Sequence, residues 1–201
     1  MIDTARRRAR PLPPAERRAA LIAATLPLIR EHGADVSTRQ IAEAADVAEG
    51  TIFRVFPDKA ALIDAAVDAA FDPTSVVAEL GKIDLSLPLP ERMTRAVRLL
   101  QARVADVVAL LTALRGRHHR GGEHHNRPGG QNEIVDLAVA KLIEPARAEL
   151  RVSPAEVVGL LRLLVVAGAM PWLNEGRPLT ARQVVDVVLD GVRKRDAGPP
   201  C

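Results

Sequence analysis

The chain has 201 residues, 48 % of them hydrophobic but only 2 % aromatic, and its 28 basic residues slightly exceed its 25 acidic ones. So much aliphatic content excludes a disordered chain, and three Phe, one Trp and no Tyr exclude a nucleic-acid binder that stacks bases on exposed rings. The single cysteine, Cys201, can form neither an internal disulfide nor a multi-cysteine zinc site.

Residues 1–13 form a basic arm. The first 20 residues carry six arginines against Asp3 and Glu16, a balance of +4, so the remaining 181 sum to −1. Closely spaced guanidinium groups, Arg7 and Arg8 among them, suit DNA phosphate or a minor groove. A solvated tail is the other reading of the same residues. The arm runs into Pro11-Leu12-Pro13-Pro14 rather than into an apolar segment, which argues against a secretory signal. The longest apolar run, residues 163–170, is too short to span a membrane. A cytoplasmic protein without membrane attachment is expected.

A helix is expected over residues 14–32, with proline in its first turn, apolar residues at Leu21, Ile22, Leu26 and Ile29, and Gly33 as its stop. Pro27 inside it predicts a kink. Ser37 and Gln40 form a capping box that opens a short helix to residue 45. Asp46-Val47 then makes a turn, and a second short helix covers residues 48–56. Pro57 breaks it, and Asp58 caps a helix over 59–71. Residues 72–90 read as a linker with one helical turn at 74–80. A long helix is expected over 90–114, a mobile loop over 115–130, and further helices over 131–150, 153–170 and 180–194, the last two opened by capping boxes at Ser153 and Thr180. No segment shows strand alternation. The fold class is therefore all-α, with a small domain at 14–71 and a larger one at 72–201.

The informative segment is residues 37–56. Two short helices that cross steeply need a small residue at the crossing, which Ala42 supplies. They also need a turn residue tolerant of left-handed dihedrals, which Asp46 accepts. Ile41, Val47, Ile52 and Phe56 can form one apolar wedge beneath them. This is a helix-turn-helix, whose second helix can enter the major groove. With Ile41-Ala42, Ala45, Val47, Gly50-Thr51-Ile52-Phe53, Phe56-Pro57-Asp58-Lys59 and Leu62, the segment resembles the DNA-binding domain of the tetracycline-repressor (TetR) family. The close resemblance covers about residues 17–70.

The resemblance implies a three-helix DNA-binding domain followed by a helical effector-binding and dimerisation domain. It implies a homodimer that reads a palindromic operator and is released by a small molecule, most often as a repressor. Thr38, with Arg39 beside it, would meet phosphate at a helix start. Glu49, Gly50, Thr51, Phe53 and Arg54 would lie on the recognition helix, and Lys59 would contact phosphate. Two positions depart from the family pattern. Phe53 stands where the family usually has Tyr and lacks its hydroxyl. Glu49 puts a carboxylate near DNA, which is repulsive unless it accepts from cytosine N4.

Candidate effector contacts are Leu100, Arg103, Val104 and Val107 on the long helix, with Arg162 and Trp172. Arg162 sits between leucines and needs a partner, for which Asp186 and Asp190 are the candidates; the alternative is an anion-binding role in an effector pocket. Trp172 is the only ring in residues 72–201, so an aliphatic lining and an apolar, acyl-like effector are expected. Stripes containing Val157, Leu161 and Leu164, then Val184 and Val188, exceed what one small domain buries and suggest a dimeric four-helix bundle. His118, His119, His124 and His125 share the loop, but one carboxylate and no cysteine accompany them, so no metal site and no cofactor are expected. No nucleophile–base set or phosphate loop appears, so no enzyme is expected. A helical dimer that binds a small molecule or metal without regulating DNA is the alternative, and Phe53 and Glu49 favour it.

Overall fold

A computed structural model describes residues 13–114 and 129–193, with the backbone alone at 129–131 and 171–172. The described residues are helical apart from loops and one isolated antiparallel bridge, Leu150 to Arg193. They divide into two compact units. One holds the residues up to Ala70 together with Ala113 and Leu114; the other holds Phe71 to Thr112 and the remainder. The last residue of the long helix thus belongs with the N-terminal unit, whereas a single division at residue 71 is what the sequence suggests.

In the N-terminal unit, α1 (Pro14–His32) runs through Pro27 as one helix. The buried Thr25 hydroxyl donates to the Leu21 carbonyl one turn earlier, at 2.7 Å. Gly33 ends α1 at φ 60°, donating its N–H to the Ile29 carbonyl, and a 3-10 turn (Gly33–Asp35) follows. A Cβ at Gly33 would lie 2.6 Å from the Ala113 carbonyl oxygen, so only glycine fits this joint. Both halves of the Ser37–Gln40 capping box are formed at the start of α2 (Thr38–Ala44). Asp46 is left-handed at φ 50°, and the Val47 N–H donates to the Ala42 carbonyl at 2.9 Å. The chain then enters α3 (Glu49–Val55) and α4 (Lys59–Phe71). The Asp58 carboxylate accepts from the Ala61 N–H at 2.8 Å, capping α4.

The second unit holds α5 (Thr74–Leu80), α6 (Leu89–Ala113, of which all but Ala113 belongs here), α7 (Gly129–Ile143), α8 (Pro154–Gly168), α9 (Pro171–Asn174) and α10 (Ala181–Val192). Its core joins Met93 and Val97 of α6, Val139 and Ile143 of α7, Val157, Leu161 and Val165 of α8, and Val184, Val188 and Val192 of α10. The expected helix over 131–150 stops at Ile143 and passes into a 3-10 turn (Glu144–Glu149). Pro145 explains the change: it has no N–H to donate and disfavours helical dihedrals at the residue before it. The capping boxes at Ser153 and Thr180 form as expected. The Arg151 N–H donates to the Val192 carbonyl at 2.8 Å, tying the end of α10 to the start of the α8 loop.

Four of the five residues expected from sequence to form the dimer face are buried within one chain. Val157, Leu161 and Val184 are fully buried and Val188 nearly so within one chain, and Leu164 packs partly buried against the same core. Side chains committed to their own core cannot form an outer face. On these two helices the large apolar side chains left exposed are Leu160, Leu163 (67 % exposed) and Val166 of α8, and Val187 (59 % exposed) of α10.

Candidate nucleic-acid interface

The interface begins with its support. Ile41 and Ile52 are fully buried, and Phe56 and Ala42 nearly so, so α2 and α3 pack on α1 through one apolar wedge. Val47 is only half-buried at the turn. The Arg18 guanidinium lies 4.6 Å from the centroid of the Phe56 ring, a cation–π contact fastening α1 to the end of α3. An arginine near the start of an amphipathic helix carries no sequence signal for that contact.

On this support, Arg39, Glu49, Gly50, Phe53 and Arg54 are exposed, and Thr38 and Thr51 are half-buried. Phe53 is 52 % exposed, a large apolar ring presented by α3. Nothing lies within 4 Å of where a Gly50 side chain would begin, leaving the first turn of α3 open to close approach. The Thr38 hydroxyl donates to the Glu49 carboxylate, so the first turns of α2 and α3 are joined through two of the residues expected to meet DNA. Eleven residues separate them, and the sequence gives no hint of the bond. The Lys59 ammonium donates to the Ala34 carbonyl at 3.0 Å. It thereby secures the 3-10 turn. Arg7, Arg8 and the four loop histidines lie outside the described residues; among the described ones no group of three potential metal ligands occurs.

Two cavities of the C-terminal unit adjoin the expected effector residues on α6. Leu100, Arg103, Val104 and Arg162 line one of about 100 Å³, together with Asp136 of α7; Val107 is not part of its lining. Nothing is described of the Trp172 side chain. Arg162 pairs with Asp136, not with Asp186 or Asp190, and Asp186 is held by Arg182 one turn before it at 2.9 Å. Burial pushes the Asp136 carboxyl above the usual range, and the Arg162 guanidinium partly offsets that. Arg103 donates to the Phe71 and Asp72 carbonyls, capping the end of α4. Its partial burial lowers its pKa, and the Asp72 charge opposes that shift. The second cavity, about 480 Å³, is built largely from small residues and loop between Gly168 and Leu179, facing Gln101 and Ala105 of α6. No helical periodicity could have marked it.

Residues 21–66 match the family model for bacterial regulatory proteins of the tetR family. No curated protein matches the chain. A TetR transcriptional regulator from Streptomyces coelicolor is 24 % identical over 89 % of this chain and 99 % of its own, with a TM-score of 0.57. NalD, the secondary repressor of the MexAB-OprM multidrug efflux pump in Pseudomonas aeruginosa, is 22 % identical over 90 % and 98 %, with a TM-score of 0.53. The superantigen PfiT has a similar fold at 17 % identity over 92 % and 100 %, TM-score 0.62. Proteins named for different activities therefore share this architecture, and the helix-turn-helix carries the assignment. Residues 21–66 therefore carry the helix-turn-helix of the bacterial regulatory proteins of the tetR family, and the described residues share the all-α, two-domain architecture of that family's solved structures.

Proposed function

We propose that this regulator is a homodimeric repressor that reads a palindromic operator with two copies of α3 and leaves it when a small aliphatic molecule binds the C-terminal unit. The observation that carries this is the exposed face of α3. Gly50, Phe53 and Arg54 stand clear of the wedge formed by Ile41, Ile52 and Phe56, which fits a helix set to enter a major groove. Thr38 and Arg39 at the start of α2 suit phosphate, and Thr51 and Arg54 suit bases or phosphate. The basic arm with Arg7 and Arg8 adds sequence-independent affinity.

Dimerisation is assigned to the outer stripe of Leu160, Leu163 and Val187, which a second copy would cover. Arg103 supports coupling to an effector. It lines a cavity and also caps α4, the helix that leads out of the N-terminal unit. A ligand that draws on Arg103 thereby acts on α4, and it shifts affinity for DNA by its differential binding to the two states.

Fluorescence anisotropy with duplex from upstream of the protein's own gene tests this. Salt-sensitive, sequence-preferring binding with two chains per site is expected. Equal affinity for unrelated duplex would overturn it.

A further inference from the structure

Taking the C-terminal unit to be the effector domain, we propose that the cavity among α6, α7 and α8 binds a short aliphatic monoanion, a straight-chain carboxylate whose head is received by Arg162 and Arg103. Its walls are aliphatic: Leu100, Val104, Val139, Leu161 and Val165 line it, and no ring does among the described residues. Its charged lining consists of two guanidinium groups and one carboxylate, Arg103, Arg162 and Asp136, with the Asp72 charge acting on Arg103 from outside the lining. A cation here would meet two like charges, whereas an anionic head meets two guanidinium groups.

The donors for the head are at hand. Arg103 donates from its two Nη atoms to the Phe71 and Asp72 carbonyls, and a guanidinium has five N–H groups in all. Arg162 already holds one carboxylate, Asp136, and a ligand carboxylate can share or take that place. The raised pKa of Asp136 agrees with a carboxylate poorly accommodated where it stands.

The space limits the chain. A cavity of about 150 Å³ accepts benzene, so about 100 Å³ accommodates about four carbons beyond the head. Val165 lines both this cavity and the larger one, so its side chain stands at the partition between them. Shortening it opens the way to longer chains.

Isothermal titration of the full chain with straight-chain carboxylates of four to ten carbons, and with the 1-alkanols and 1-alkylamines of equal length, tests the assignment. We expect carboxylates to bind about tenfold more tightly than alkanols, the loss expected when a charge-assisted hydrogen bond is removed, and amines not to bind. Arg162→Gln lowers carboxylate affinity by about the same factor, whereas Asp136→Asn raises it, because it removes the competing carboxylate. A pair with only a structural role would give the same sign for both variants. Val165→Ala moves the preferred chain length upward. Equal binding of carboxylates and alkanols, weaker carboxylate binding in Asp136→Asn, or no binding across the series would overturn the assignment. Should Arg162→Gln fail to fold, the sign at Asp136→Asn decides. Operator anisotropy on the same preparation separates the two failures. DNA binding without carboxylate binding sinks only the ligand class, and carboxylate binding without DNA binding sinks the regulator.

Discussion

Glu49→Gln isolates the contribution of one charge at the recognition helix. Glu49 is the first residue of α3, is exposed, and accepts the Thr38 hydroxyl bond across the helix-turn-helix. Glutamine keeps an acceptor oxygen of the same reach, so the bond between α2 and α3 survives and only the negative charge is lost. If α3 lies in a groove, that charge faces phosphate, and its removal acts as about one more neutralised phosphate. The slope of log affinity against log salt then steepens by about 0.9. Over a fourfold range, from about 50 to about 200 mM salt, the variant's advantage on random-sequence duplex changes by about 3.5-fold, largest at low salt. Anisotropy with a labelled random duplex across a salt series measures it. An unchanged slope would place Glu49 away from the phosphates and refute the proposed orientation of α3. Weaker binding confined to sites with one particular base pair would instead mark the carboxylate as an acceptor from cytosine N4.

Gly33→Ala should lower stability by about 3 kcal/mol, because alanine disfavours φ 60° and its Cβ would press on the Ala113 carbonyl oxygen; a change below about 0.5 kcal/mol in urea unfolding would contradict that geometry. Leu163→Glu, at a position 67 % exposed in one chain, should leave the fold intact and yield monomers by sedimentation, and an unchanged dimer would move the interface elsewhere. Hydrogen bonds from the Ser153 N–H and hydroxyl hold the Glu156 carboxyl below its usual range. A carboxyl with a depressed folded-state pKa contributes stability that is present above its unfolded value and lost as pH falls through the folded one. Wild type should therefore lose more stability than Glu156→Gln between about pH 5 and about pH 3, and parallel curves would refute it. Deleting residues 1–10 should weaken DNA binding and flatten the salt slope; an unchanged slope would leave the arm only a tail.

What could be read in advance was local chemistry. Ser37–Gln40, Ser153–Glu156 and Thr180–Gln183 each announce a helix start within four residues, and the structure forms all three boxes. Asp46 likewise sits in the left-handed turn expected of it. What escaped depends on which neighbour a face meets. On α8, Val157-Leu161-Val165 and Leu160-Leu163-Val166 are equally apolar stripes, and a helix apolar on nearly every side does not say which is core. The packing of α7 and α10 decides for the first. Arg162 turns to Asp136 on α7 because that helix packs beside α8, while Asp186 already has Arg182 one turn away. The Thr38–Glu49 and Lys59–Ala34 bonds join positions 11 and 25 residues apart, so only the folded helix-turn-helix brings them together.

The most direct test of a dimeric operator-reading function is selection of bound duplexes from a random DNA pool by the full chain. An enriched inverted repeat, with its two half-sites on one face of the duplex and occupied by two chains, is the expected result. A pool that stays unenriched while binding remains salt-dependent would contradict it, leaving a basic helical protein that holds DNA without reading it.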